Sequence, residues 1–257
     1  MRKIALLMIL MILLTCCQQK DRSGQSGEWI QLFNGKDLAD WKIKFAGYEL
    51  NNNLRNTFRV EDGLLKVCYD EWDSINGEYG HIFYKDKFSR YILRVEYRFV
   101  GEQTRGGQDW AFRNNGAMLH CQSPESMLVD QAFPVYIEGQ LLGGEGNRTT
   151  ANLCTPGTNV FIADTLVEEH CINSTSKYYP GDQWVTVEFH VYGDDAIYHI
   201  IEGDTVMAYT HPQVGGWSIP DGYPLLPGTP VTEGYIAFQA ESHPTEFRKI
   251  ELLDLSK

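Results

Sequence analysis

The chain has 257 residues, of which 43% are hydrophobic and 12% aromatic, so it is long enough to bury a sizeable core. Its formal net charge is -12, and a field of that sign repels nucleic acid and anionic membrane surfaces. The composition therefore excludes a nucleic-acid-binding protein and a low-complexity chain.

The first predicted element is a signal peptide at residues 1–16. Arg2 and Lys3 precede the apolar run IALLMILMILLT, which is too short to span a membrane comfortably and is typical of a signal that is removed. Residues 17–28 are then predicted to be a flexible tether. Removal of the two basic residues leaves 20 basic and 34 acidic side chains, a net charge of about -14.

The end of the apolar run, LLTCCQQK, resembles the lipobox of bacterial lipoproteins. Leu14 stands three places before Cys17, which the resemblance predicts to be lipidated, with Cys16 as the alternative acceptor. A plain secretory signal is the other interpretation. The resemblance implies a lipid-anchored protein of the cell envelope, periplasmic or on the outer-membrane surface.

From Trp29 onward the dominant pattern is the two-residue alternation of β-strands, in short runs separated by Gly, Asn, Asp and Pro. The Asp62-Gly63 pair predicts a tight hairpin within TFRVEDGLLKVCY. The later predicted strands are HIFYK, YILRVEYRFV, NGAMLHC, VYIEGQLLG, WVTVEFHVYG, AIYHIIEG, TVMAYT, GYIAFQAE and FRKIELLDL. This spacing predicts one all-β domain over residues 29–257, an antiparallel β-sandwich or jelly roll.

Two segments between the strands, residues 143–181 and 212–233, are longer than turns require. Long ordered loops on a β scaffold are common places for binding sites. Cys154 and Cys171 flank one loop-like part of the first segment, and disulfides form outside the cytosol, so we predict a bridge between them. A zinc site is the alternative, but the sequence has no Cys-x-x-Cys spacing to support it.

Alternation also gives each strand a polar side, which collects Glu96, Arg98, Glu138, Gln140, His190, Gln239 and Glu241. An ordinary solvated face, or a network of cross-strand ion pairs, is the alternative explanation. Such faces are usually rich in Lys, Thr and Ser, whereas this one combines carboxylates, amides and imidazoles with aromatic rings. The pattern therefore favours a single carbohydrate-binding cleft.

A run of motifs covers about Gln31 to Leu255: LFNGKDLADWK, FRVEDGLLKV, GHIFYKDKFSRYILRVEYRF, NNGAMLH, VYIEGQLLG, GDQWVTVEFHVYGDDAIYHIIEGDTVMAY and GYIAFQAESHPTEFRKIELLDL. In this order they resemble the blocks of the 3-keto-disaccharide hydrolase family, also called the DUF1080 domain. The resemblance implies a jelly roll similar to concanavalin A-like lectins and glucanases. It also implies hydrolysis or elimination across the glycosidic bond of 3-oxo-glycosides.

Carried over by motif, the resemblance places the family's site at Glu96, Arg98, Asn114, Asn115, Gly116, Glu138, Gln140, Gln239 and Glu241. This chain departs from the family after the Asn block, where many members carry Arg and it has MLHCQ, with His120 near that place. The insertion CTPGTNVFIADTLVEEHC predicts a subgroup with its own substrate.

The chemistry that the resemblance implies begins at a ketone on C3, which acidifies the hydrogen on C2 so that a base can remove it. Collapse of the resulting enolate expels the group on C1. The predicted catalytic residues are Glu138, His120, His190 and Glu241. The predicted substrate-binding residues are Glu96, Arg98, Asn115, Gln140, Gln239 and His243. A divalent cation is an alternative means of polarising the ketone, although no ligand spacing fixes one.

Two other functions fit the same residues. One is an ordinary glycoside hydrolase that uses paired carboxylates and needs no ketone on C3. The other is a non-catalytic glycan-binding lipoprotein. In each case the expected partners are an oligosaccharide or glycoside and, through the predicted lipid, a membrane, but not nucleic acid.

Overall fold

The computed structural model describes residues 27–144, 146–180 and 182–256. The predicted signal peptide and both candidate lipidation sites, Cys16 and Cys17, lie outside the described residues. Within the described residues, helical structure is confined to three short 3-10 turns at Leu54–Asn56, Asp109–Ala111 and Pro124–Ser126. None of the helices in this part of the chain has the length and apolar character needed to cross a membrane.

The strands of the described residues form two antiparallel sheets. Their bounds are β1 Trp29–Gln31, β2 Trp41–Phe45, β3 Phe58–Glu61, β4 Leu64–Val67, β5 Gly80–Phe88, β6 Arg90–Phe99, β7 Asn114–Cys121, β8 Ile137–Leu142, β9 Asn152–Cys154, β10 Thr158–Ile162, β11 Thr165–Val167, β12 Cys171–Ile172, β13 Val185–Tyr192, β14 Ile197–Ile201, β15 Asp204–Val214, β16 Gly234–Ala240 and β17 Thr245–Asp254.

The larger sheet has the order β11-β10-β15-β14-β13-β6-β17-β4-β3, with β1 also paired to β17. The smaller sheet has the order β12-β9-β8-β7-β16-β5-β2. The prediction of an all-β antiparallel sandwich is therefore confirmed. The predicted hairpin is confirmed as well, because β3 and β4 are joined by Asp62 and Gly63, both at positive φ, as a type I′ turn requires.

The core lies between the two sheets, where the apolar side of each strand is buried. The ring of Phe238 in the smaller sheet lies 4.9 Å from that of Phe247 in the larger one, measured between centroids. Gly139 in β8 leaves space for the ring of Phe189 in β13, because a Cβ at Gly139 would lie 2.0 Å from the nearest ring carbon. Burial of each such ring contributes about 1.5–3 kcal/mol to the hydrophobic stabilisation. Because successive side chains of a strand point to opposite sides, burial of the apolar side leaves the polar side chains on the outer faces.

A disulfide between Cys154 and Cys171 joins β9 to β12, as the sequence predicted. The bridge closes a loop with a sequence separation of 17 residues. We expect the double variant Cys154→Ser/Cys171→Ser to lose roughly 3 kcal/mol of stability, because the unfolded chain regains the entropy of the open loop. The melting temperature should fall by roughly 5–10 °C.

The matched control for that experiment is Cys68→Ser, which removes a half-buried cysteine that forms no disulfide. Its melting temperature should stay close to that of the wild type. Equal melting temperatures for the double variant and the wild type under non-reducing conditions would contradict a stabilising role of the bridge.

Candidate active site

The outer face of the smaller sheet carries a cavity of about 400 Å³, within the ~300–1,000 Å³ range of small-molecule sites. Its floor is polar and is made by residues on or next to the three central strands. These residues are Asn114 of β7, Glu138 and Gln140 of β8, Gln239 of β16, and Glu241, which directly follows β16. Its walls are mostly apolar and consist of Trp110, Phe133, Tyr136, Cys154, Pro156, His170, Cys171 and Trp217.

Strand pairing explains why the polar residues meet. Met118 of β7 lies opposite Glu138 on one side and opposite Ala237 on the other, so β8 and β16 flank β7. Side chains two residues apart share a face, which places Gln140 and Gln239 on the same outer surface as Glu138. The two Glx-x-Glx motifs of the sequence are thus brought together across one strand.

Two carboxyl groups dominate the floor, and each belongs to a side chain only 4% exposed, Glu138 and Glu241. The Asn114 amide Nδ2 donates to Oε2 of Glu241 at 2.9 Å, and the Tyr136 hydroxyl donates to Oε2 of Glu138 at 3.4 Å. Because both carboxyl groups are almost inaccessible to water, water screens their charges from each other only weakly.

Burial raises the pKa of both carboxyl groups. It raises the pKa of Glu241 to about 8, although a hydrogen bond from Gln239 acts in the opposite direction. Burial also holds the pKa of Glu138 well above its usual range, and the negative charge of Glu241 raises it further. Hydrogen bonds from Tyr136 and Gln239 oppose this rise only in part. At neutral pH the pair therefore retains at least one proton and titrates as a unit.

Three buried oxygens of the floor find no hydrogen-bond partner among the described residues: Oδ1 of Asn114, Oε1 of Glu138 and Oε1 of Gln239. Buried polar atoms in folded proteins nearly always have a partner, so unpaired ones call for an explanation. The oxygens of Asn114 and Gln239 are amide acceptors, and the Glu138 oxygen also accepts when its carboxyl group is ionised. The floor therefore suits a ligand that presents several hydroxyl donors, as a sugar ring does.

Gly116 in β7 provides the space that the Glu138 side chain occupies. A Cβ at this position would lie 2.2 Å from Oε1 and 2.7 Å from Cδ of Glu138. The φ angle of Gly116 is not in the left-handed region, so alanine is tolerated by the backbone and only the carboxyl must move. The glycine of the sequence motif thus has a steric role.

We expect Gly116→Ala to lower kcat by roughly 100-fold, because a displacement of about 1 Å at a catalytic group has an effect of that size. The measurement is steady-state kinetics together with a melting curve, which shows whether the variant remains folded. Unchanged kcat in a folded variant would mean that the position of the Glu138 carboxyl does not matter for turnover.

The structure divides the predicted polar face between two sheets, so the prediction of a single cleft is wrong. Glu96 and Arg98 belong to β6 and His190 to β13, both in the larger sheet. The outer face of that sheet is separated from the cavity by the whole core. Alternation identifies an outward side chain, but it does not identify the sheet on which that side chain lies.

The side chains on the larger sheet form a charge network instead. Arg98 Nε donates to Oε2 of Glu246 at 2.7 Å, and Arg248 Nε donates to Oε2 of Glu96 at 2.7 Å. His190 Nε2 lies 3.0 Å from Oε2 of Glu188. The two arginine pairs therefore join β6 to β17 across a solvated face, and His190 contacts a neighbour on its own strand, β13. This was the alternative explanation of the pattern.

Asn115 is also misplaced by the prediction. Its side chain points between the sheets, where Nδ2 donates to the backbone carbonyl of Gln239 at 2.7 Å, and the residue is 1% exposed. The preceding residue, Asn114, takes the place in the cavity. A shift of one residue along a strand exchanges the two faces, so the family's Asn block alone does not decide between them.

His120 and His243 are buried but do not line the cavity. His120 Nε2 lies 3.1 Å from the Gly193 carbonyl, and burial lowers the pKa of this histidine to about 4. Burial likewise lowers the pKa of His243 to about 4, helped by the charges of Arg113 and Arg148. Both are neutral structural histidines at physiological pH, so the prediction of their direct roles is wrong.

The residues that the sequence did not identify are mainly the cavity walls. Tyr136 shares the alternation of Glu138 and Gln140, but Trp110 comes from a short 3-10 turn, and Phe133, His170 and Trp217 come from loops, where no alternation marks the direction of a side chain. The available signal was the length of residues 143–181 and 212–233, which supply His170 and Trp217.

The only set of three His, Cys, Asp or Glu side chains that the described residues bring close enough to share an ion is Cys154, His170 and Cys171, within 4.8 Å. Both sulfurs are joined in the disulfide and offer no thiolate, so this set does not fit a divalent cation.

Residues 28–253 match the family described as the 3-keto-alpha-glucoside-1,2-lyase-like domain. The chain belongs to this family. The match covers nearly all of the residues that the structure describes, and it contains every residue of the cavity.

Two crystal structures from Parabacteroides distasonis ATCC 8503, provisionally named as glycosyl hydrolases, have the same fold. The first is 18% identical, with a TM-score of 0.52 over 89% of this chain and 100% of the other. The second is 17% identical, with a TM-score of 0.51 over 89% of this chain and 94% of the other. No protein with a curated description matches the sequence. The predicted jelly-roll fold of this family is confirmed.

Proposed function

We propose that the protein cleaves the glycosidic bond of 3-oxo-glycosides by removing the proton on C2 and eliminating the group on C1. The observation that carries this proposal is the pair of buried carboxyl groups with raised pKa values, Glu138 and Glu241, on the polar floor of one cavity. Membership of the 3-keto-alpha-glucoside-1,2-lyase-like family supports the substrate class.

The reaction needs one base and one acid. The base takes the C2 proton, and the electrons of the C–H bond form the C2–C3 double bond of an enolate whose charge lies on the C3 oxygen. The enolate then re-forms the ketone, makes the C1–C2 double bond and breaks the bond from C1 to the leaving oxygen. That oxygen takes a proton from the acid, and addition of water across C1–C2 completes a net hydrolysis.

Glu138 suits the role of base because its Oε1 has no partner among the described residues and is free to accept a proton from the substrate. Its raised pKa makes it the stronger base of the pair, and it acts in the state in which the shared proton rests on Glu241. Glu241 suits the role of acid in that state, since its Oε2 is held by Asn114 and burial raises its pKa to about 8.

The amides complete the site. Gln140 and Gln239 lie beside the two carboxyls on the floor, and an amide N–H directed at the C3 oxygen would stabilise the enolate charge. A preorganised donor of this kind contributes about 2.7–4 kcal/mol to transition-state binding in other enzymes. No positively charged side chain is needed for this step.

The direct test is to incubate the purified protein with a 3-oxo-glucoside and with the corresponding unoxidised glucoside, each with and without a chelator. We expect cleavage of the 3-oxo substrate only, and equal rates with and without the chelator. Cleavage of the unoxidised glucoside alone would identify an ordinary glycoside hydrolase. Binding of glycans without any product would identify a lectin-like protein, and either result would overturn the proposal.

We also propose that the protein works in the cell envelope, held by lipid at Cys17. The support for this is the resemblance of LLTCCQQK to a lipobox. Metabolic labelling with a radioactive fatty acid should mark the wild type and not Cys17→Ser, whereas labelling that persists in Cys17→Ser but not in Cys16→Ser would move the lipid to the neighbouring residue.

A further inference from the structure

One wall of the cavity is apolar and is formed by Trp217, Pro156, His170 and the disulfide between Cys154 and Cys171. Trp217 is 48% exposed, so much of its ring is free to meet a ligand. A large exposed aromatic beside a cavity is costly to leave in water and is typical of a binding surface. We call these five residues the aromatic wall.

Three contacts hold the aromatic wall in place. The rings of Trp217 and His170 meet edge to face, with 4.3 Å between centroids. The backbone N–H of Gly157 donates to the Trp217 carbonyl at 2.8 Å. The disulfide fixes Cys171, the residue after His170, to β9. Because the wall is built before the ligand arrives, binding has little conformational entropy to overcome.

The wall and the floor differ in what they can bind. The floor offers carboxyl and amide groups for the hydroxyls of one sugar ring, whereas the side chains of the wall offer only the ring nitrogens of His170 and Trp217. A second sugar placed against the wall would lose more hydrogen bonds to water than these few nitrogens could replace, which is unfavourable. A flat apolar ring has no such requirement.

Charge points the same way. None of the described residues lining the cavity is Lys or Arg, and the floor carries two carboxyl groups. Burial lowers the pKa of His170, so its ring is neutral at physiological pH. An anionic leaving group such as a phosphate or a uronic acid would therefore find no positive partner in the cavity.

We propose that the aromatic wall is the binding site for an aromatic aglycone, so that the protein prefers aryl 3-oxo-glycosides, with Trp217 as the main stacking platform. This inference rests on the proposed function, because the sugar ring must lie over Glu138 and Glu241 for its aglycone to reach the wall. Trp217 comes from one long loop and His170 from another, so both loops serve to select the substrate.

Trp110 provides a matched control because it is 49% exposed and also lines the cavity. Its ring lies 5.9 Å from that of Tyr79, next to β5, whereas the wall lies next to β12 and β9. Strands β16, β7 and β8 separate the two positions. Trp110→Ala and Trp217→Ala thus remove equivalent side chains on opposite sides of the floor.

The experiment measures kcat/KM of the wild type, Trp217→Ala and Trp110→Ala on the phenyl and methyl 3-oxo-glucosides and on a 3-oxo-disaccharide. We expect the KM of the wild type for the phenyl substrate to be roughly tenfold below its KM for each of the other two, the size of one aromatic stacking contact. The kcat values are compared separately, because phenol is also the more acidic leaving group. Trp217→Ala should abolish this preference through KM, whereas Trp110→Ala should keep the phenyl-to-methyl ratio of the wild type.

Three results would overturn the inference: a disaccharide preferred over the phenyl substrate, an equal loss on phenyl and methyl substrates in Trp217→Ala, or loss of the preference in Trp110→Ala alone. Calorimetric binding of unoxidised phenyl and methyl glucosides gives an independent readout. A phenyl preference in binding that depends on Trp217, together with no cleavage of any 3-oxo-glycoside, would support the wall and reject the proposed function. Equal binding of the two glucosides together with normal cleavage of the 3-oxo-glycosides would reject the wall and support the proposed function.

Discussion

Glu138→Gln is expected to lower kcat on a 3-oxo-glucoside by about 1,000-fold while the protein stays folded. General-base catalysis typically contributes 10²–10⁴-fold to the rate, and glutamine has nearly the shape of glutamate without its basicity. The side chain is almost fully buried, and its carboxyl is already difficult to ionise, so the neutral amide should not destabilise the fold. Steady-state kinetics and a melting curve on the same preparation measure both quantities.

The control is Glu96→Gln, which makes the same chemical change on the outer face of the larger sheet. Glu96 bonds to Arg248 and Thr186, and loss of such a surface pair is expected to lower stability by at most about 1 kcal/mol. Its activity should equal that of the wild type. If Glu96→Gln were inactive and Glu138→Gln active, the site would lie on the other sheet and the proposed base would be wrong.

Raising the pH from 6.5 to 8 is expected to destabilise the wild type by about 2 kcal/mol through Glu241. Burial raises the pKa of this carboxyl to about 8, against an ordinary value of 4.5. The folded state therefore binds more protons than the unfolded state between these two values, and stability falls as the pH rises through this window. The melting temperature should decrease by roughly 5 °C over this range.

The lower limit of that window is set by the buried histidines. Burial lowers the pKa values of His81, His120 and His199 in the folded protein. Their contribution to the free energy of unfolding therefore falls as the pH drops below 6.5, the pKa of histidine in the unfolded chain. Above pH 6.5 this contribution is constant. The slope between pH 6.5 and 8 should consequently become shallower in Glu241→Gln, where only Glu138 of the pair keeps a raised pKa, and should persist in full in Glu96→Gln. An unchanged slope in Glu241→Gln would contradict the raised pKa of Glu241.

The sequence was sufficient to predict the architecture because alternation and turn chemistry act locally. The Asp62-Gly63 turn and the outward direction of Glu138 and Gln239 can each be predicted from a few neighbouring residues. The separation of the two outer faces could not be predicted in this way. It depends on which distant strands pair, as when β16 pairs with β7 rather than with β6.

The error at the Asn block has a similar physical origin. Asn114 and Asn115 are adjacent and chemically identical, and only the register of β7 against its neighbours decides that Asn114 faces the cavity. The walls were harder still to predict, because Trp110 and Trp217 project from irregular segments held by ring contacts and backbone hydrogen bonds.

The disulfide has a consequence for the borders of the smaller sheet. Its outermost strand on one side, β12, is only two residues long and is tied covalently to β9, so it presents few open backbone groups to another chain. The opposite border, β2, carries Lys42, whose ammonium pairs with Glu125. Short borders and charged side chains both discourage edge-to-edge association of sheets. The protein can therefore expose an aromatic surface beside its cavity while the border strands of its smaller sheet resist pairing with another chain.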